Sequence, residues 1–99
     1  MSPRLHGQVE SRVRLALGRL SHCLRSVSVR LRDINGPKGG DDIECIVRAS
    51  LFPRGRLQVS ETCAEPLDAV ARATSRLRRH LARARHRLRT RRRRGLGLR

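Results

Sequence analysis

The chain predicts a two-layer α+β sandwich of order α-β-β-β-α, with two helices on one face of an antiparallel meander. Three observations carry this. Apolar residues recur at three- and four-residue spacing towards both ends, the middle alternates apolar and polar residues with period two, and turn-forming residues separate the alternating segments. With 99 residues and 37% hydrophobic content, the chain supports a single modest core.

The first helix opens with Ser2 as N-cap and Pro3 as first helical residue. Leu5, Val9, Val13, Ala16, Leu17 and Leu20 then form its apolar side. Gly7 and Gly18 cost this helix roughly 1 kcal/mol each relative to alanine, so it depends on packing. From Ser26 the period becomes two, with Val27, Val29 and Leu31 on one side and Ser28, Arg30 and Arg32 on the other. Asp33 to Asp42 concentrates residues that tolerate positive φ or fix a turn, and reads as a long hairpin loop. Alternation resumes with Ile43, Cys45, Val47, Ala49 and Leu51 inward. Pro53-Arg54-Gly55 makes a turn, and Leu57 with Val59 marks the third strand.

After Pro66, Leu67, Val70, Thr74, Leu77, Leu81, Ala84 and Leu88 return to helical spacing and make one stripe. This second helix is expected to end near Thr90, after roughly 37 Å, with its last turns projecting beyond the meander. Residues 1–90 thus form the domain, and 91–99, with Arg91 to Arg94 and a Gly-Leu-Gly end, read as a frayed, flexible Arg-rich tail.

Lys and Arg number 24 against eight Asp and Glu, a formal net charge of +16. Self-repulsion at that charge disfavours the compact state unless a polyanion shares it, which makes nucleic acid the expected partner. Lys38 is the only lysine, so 23 of the cations are arginines, whose planar forks suit bidentate phosphate contacts. Codon bias in a GC-rich genome is an alternative explanation for arginine over lysine, but not for the charge itself. Phe52 is the lone aromatic residue, so base-stacking platforms are not expected, and recognition should run through phosphate, ribose and shape. Cys23, Cys45 and Cys63 are odd in number and widely spaced, with no signal peptide, which fits a reducing cytoplasm. No apolar run approaches the ~20 residues of a membrane span.

At about 100° per residue, Arg72, Arg76, Arg79, Arg83, His86 and Arg87 fall on one face of the second helix, opposite its apolar stripe. Arg4, Arg12 and Arg19 share one flank of the first helix with Gln8, while Glu10 falls towards the other flank. Side by side on one sheet face, the two helices would merge these into a groove-sized surface. Any amphipathic helix has a charged outer face, but the ordinary kind mixes signs, whereas this one is almost free of acids. In the loop, Gly36-Pro37-Lys38-Gly39-Gly40 would set backbone N–H groups and one ammonium against a phosphate, or serve only as a hairpin loop. It lacks the spacing of a nucleotide-binding P-loop, and Asp33 with Asn35 lacks that of a calcium loop. The four histidines and three cysteines show no metal-ligand spacing, and no nucleophile, base and orienting acid fall together. Neither an enzyme nor a cofactor is therefore expected.

The run Val29-Arg30-Leu31-Arg32-Asp33-Ile34-Asn35-Gly36-Pro37-Lys38-Gly39-Gly40-Asp41-Asp42, followed by Cys45, resembles the ribosome hibernation promoting factor family. Members are also called ribosome-associated translation inhibitors or sigma-factor modulation proteins. The resemblance extends from about Ser2 to Leu88. It implies a β-α-β-β-β-α domain in the small subunit's channel for messenger and transfer RNA, silencing translation by occupancy as part of a stress response. Its implied partner is the small ribosomal subunit and its ribosomal RNA, in the cytoplasm that the cysteines already suggest; a monomer is the favoured oligomeric state, which the sequence leaves open. By position, the implied RNA contacts are Arg4, Arg12 and Arg19, Lys38 in the loop, and Arg72, Arg76, Arg79 and Arg83, with Arg87 continuing the stripe. Because the first helix starts at Ser2, the expectation is a form short of the family's first strand, which leaves Ser26 to Arg32 as an exposed edge. Two other readings remain: a generic double-stranded-RNA or polyanion binder, whose domains share the order α-β-β-β-α, and an interaction protein using its strand edge or cationic helix.

Overall fold

The computed structural model describes residues 2–34 and 42–97, with side chains as far as 84. The elements run α1 (Pro3–Leu17), a 3₁₀ helix (Gly18–Cys23), β1 (Leu24–Asp33), β2 (Ile43–Leu51), β3 (Arg56–Cys63) and α2 (Pro66–Gly97). The order is the expected α-β-β-β-α, with the strands in an antiparallel sheet of order β1-β2-β3.

Ser2 caps α1 as expected: its Oγ accepts from the Leu5 backbone N–H at 3.1 Å, and Pro3 occupies the first turn, where a missing donor costs nothing. Ser2→Ala should remove about 1 kcal/mol, which for a domain of this size lowers Tm by roughly 4–8 °C. A calorimetric scan showing no change would mean that the cap contributes nothing. Below Leu17 the chain tightens into the 3₁₀ helix, which takes Arg19 and Leu20 off the 100° wheel of α1.

Register along the sheet aligns Val29 with Val47 and Val47 with Val59, so the inward positions stack across all three strands. The outward rungs are Ser26·Ser50·Arg56, Ser28·Arg48·Gln58, Arg30·Ile46·Ser60 and Arg32·Glu44·Thr62. Arg25 sits at a register shift between Leu24 and Ser26. A bulge re-aims its side chain, which donates to the Pro53 carbonyl at 3.0 Å and lies 5.6 Å from the centre of the Phe52 ring. Gly55 closes the β2–β3 turn at φ 114°, a conformation that side chains with a Cβ resist. At the other end, the Ile34 N–H donates to the Asp42 carbonyl at 3.2 Å, marking the two ends of the 35–41 connection, which lies outside the described residues.

Val9 and Leu17 from α1, Cys45, Val47, Ala49 and Val59 from the sheet, and Ala69, Val70, Ala73, Leu77 and Leu81 from α2 form one core. α2 lies over β2 and β3, and α1 packs chiefly against α2. Val27, Val29 and Leu31 are consequently only half-buried, although their alternation predicts the same burial as that of β2. β1 pairs with β2 along one edge, and no strand meets its other edge among the described residues. Thr74, the one polar residue in the α2 stripe, is buried without penalty because its hydroxyl donates to the Val70 and Ala71 carbonyls at 2.8 and 3.2 Å.

The end of α2 differs from the expectation. The helix continues to Gly97 instead of stopping near Thr90, and so runs through Arg91 to Arg94. Arginine is a good helix former and no proline interrupts the run, so the helix carries on through it to the glycines at its end. At 1.5 Å per residue its 32 residues extend about 48 Å, past a nine-residue strand of about 30 Å. The expected projection beyond the sheet is therefore present, and longer.

Burial pushes the Cys45 thiol up from 9.0 to about 11, with Cys63 on the neighbouring strand adding to the effect. The fold holds Cys45 protonated, so this contribution to stability is complete below about pH 9 and is lost as pH rises through about 11. At pH 8 the native thiolate is about two orders of magnitude rarer than at an ordinary cysteine. Mass spectrometry after iodoacetamide treatment at pH 8 should find Cys45 unmodified in the native protein and modified in denaturant. Labelling at equal rates in both states would contradict its burial.

Candidate nucleic-acid interface

The register of α2 decides where its cations stand. Ala69, Val70, Ala73, Leu77 and Leu81 face the sheet, and at about 100° per residue this turns Arg72, Arg76, Arg79 and Arg83 to one outer flank. All four are exposed. The flank is the one beside β3: the Arg76 guanidinium donates to the Ser60 carbonyl at 3.3 Å and lies 3.6 Å from a Glu61 carboxylate oxygen. Arg76 is thus tied to the sheet, and the stripe, whose one carboxylate along the helix is Asp68 in the first turn, gains a second from Glu61 of β3. Glu61 also borders a shallow depression with Arg72, Ser75 and Arg79.

The cations of α1 meet a different partner. Arg12, with Leu15 and Ala16, lines a groove against Thr74, Ser75 and Arg78 of α2. Arg78 lies about 100° from Leu77, on the flank opposite the stripe. No period within α2 alone singles it out. The signal available was the small residues Ala71, Thr74 and Ser75, which at helical spacing mark where another helix approaches and place Arg78 one turn further on. Arg4 is exposed on the first turn of α1, and Arg19 is exposed on the 3₁₀ helix. The helical layer therefore presents two basic lines: Arg72, Arg79 and Arg83 beside β3, and Arg12 with Arg78 along the interhelical groove. Lys38 lies in 35–41, and the side chains of His86 and Arg87 in 85–97, all outside the described residues.

Three ion pairs occur among the described residues. Arg14 pairs with Glu10 at 2.7 Å, Arg32 with Glu44 at 2.8 Å, and Arg76 with Glu61 at 3.6 Å. None takes up Arg12, Arg72, Arg78, Arg79 or Arg83. Exposed guanidinium groups that enter no ion pair present the donor geometry that phosphate oxygens accept. Among the described residues no group of three or more His, Cys, Asp or Glu side chains is placed to hold a metal ion. No described helix is long and apolar enough to cross a membrane. Compared with models of known protein families and with curated proteins, the chain matches none.

Proposed function

We propose that this domain binds structured RNA through its phosphate backbone, and that its target is the small ribosomal subunit, where it silences translation by occupying the channel for messenger and transfer RNA. The observation that carries the RNA reading is the set of exposed arginines on the helical layer, Arg12, Arg72, Arg78, Arg79 and Arg83, that enter no ion pair among the described residues. The ribosomal target rests on the resemblance of the Val29 to Asp42 segment to the hibernation promoting factors. Phosphate recognition accounts for the net charge of +16, which otherwise only opposes folding. No chemical step is required of such a protein.

Sedimentation with ribosomal subunits across a salt series tests both parts, because phosphate-driven binding weakens steeply as counterions compete. Saturable small-subunit binding that outlasts binding to free duplex RNA as salt rises is the expected result. Equal, salt-sensitive binding to both would favour a general duplex-RNA binder, the reading that the order α-β-β-β-α supports. Binding to neither would remove RNA as the partner.

A further inference from the structure

We propose that the uncovered face of the sheet is a second phosphate-binding surface, so that one domain holds two RNA segments on opposite sides. This rests on the reading of the helical arginines as an RNA site. No helix covers the outward rungs, and Ser26, Ser28, Ser50, Arg48, Arg56 and Gln58, with Ala49 and Leu57 of inward parity between them, line a broad depression across all three strands. Three serines there keep the floor low and supply hydroxyl donors, while Arg48 and Arg56 flank it with guanidinium groups. Gln58 accepts from Arg48 Nε at 2.8 Å, which orients the fork without neutralising it. Glu44, the one carboxylate on these four rungs, is engaged by Arg32 at 2.8 Å and leaves Arg48 and Arg56 their charge.

The composition of this face selects its occupant. Ile46 is the one apolar side chain on the outward rungs, so the face lacks the apolar centre that a protein partner buries. Hydroxyl and guanidinium donors without an aromatic platform suit phosphate and ribose oxygens instead of bases. The shorter dimensions of the molecule are 24 and 17 Å. Backbones held on its two faces are therefore separated by more than the screening length of about 8–10 Å at physiological salt, and repel each other weakly.

The test uses two short RNA duplexes, one carrying a fluorescence donor and the other an acceptor, mixed with the full chain. Energy transfer is expected with the parent protein. Arg48→Ala with Arg56→Ala should still bind one duplex but lose transfer, since removing two phosphate contacts weakens the second site by on the order of tenfold or more at ~0.1 M salt. Ser28→Asp, which keeps every arginine but puts a carboxylate on the floor, should act in the same way, and unchanged melting curves would show that both variants fold. Transfer that persists undiminished in both variants would overturn the proposal, as would a parent that binds duplex without transfer; in the latter case the helical site still stands. A parent that binds no duplex would overturn both readings.

Discussion

Arg72→Ala, Arg79→Ala and Arg83→Ala combined are expected to weaken RNA binding by about two orders of magnitude at ~0.1 M salt, and to flatten the salt dependence by about three phosphate contacts. The reasoning is one of counterion release. Each guanidinium set against a phosphate displaces a condensed cation, so removing three contacts removes three such terms. Arg76 is left in place deliberately. Its bond to the Ser60 carbonyl and its proximity to Glu61 give it a part in holding α2 to β3, and its loss would mix binding with stability. The other three are exposed and engaged in no ion pair, so the melting temperature should hold or rise slightly as like charges are removed. Sedimentation and filter binding across a salt series read the affinity and slope together. A triple variant that binds as well as the parent, with the same slope, would place the RNA elsewhere on the molecule.

Leu77→Ala is expected to have the largest effect on stability. Leu77 is fully buried at the centre of the α2 stripe and is the largest wholly enclosed side chain of the core. Truncating such a leucine removes its transfer free energy and leaves a cavity, a combined cost of about 2–5 kcal/mol. A domain of ~100 residues has only about 5–15 kcal/mol to lose, and here a strong positive charge already works against it. Urea denaturation should show the midpoint falling by a large fraction with little change in slope. RNA phosphate should partly restore the folded state, since a ligand that binds only the native protein stabilises it. A loss below about 1 kcal/mol would mean that α2 is not seated on the sheet as described.

Elements whose character depends on near neighbours in the chain were legible from the residues. Ser2-Pro3 announces a capped start because a hydroxyl three residues before a free N–H closes locally. The alternation of Ile43 to Leu51 predicts a strand whose odd-numbered positions face the core, and Cys45, Val47 and Ala49 are buried there. The same pattern in Val27, Val29 and Leu31 predicts more burial than occurs, because alternation reports which way a side chain points and not what lies above it. The arginine stripe was legible in the same way, as a consequence of helical period. Its neighbour Glu61 was not, since that carboxylate arrives from another strand. Arg78 was overlooked because its importance comes from α1 and not from its own helix.

The sequence by itself determined the order of elements, the inward and outward faces of each, and an arginine-rich outer flank on α2, because periods of 2 and 3.6 and local capping act within a few residues. Only the tertiary structure decided that α2 covers β2 and β3 and that α1 leans on α2. Those placements turn Arg76 into a tie to the sheet, bring Arg12 and Arg78 to one groove, and leave the serine and arginine rungs open. They depend on how apolar faces of different elements pack against one another over long separations in the chain, and no local period encodes that choice.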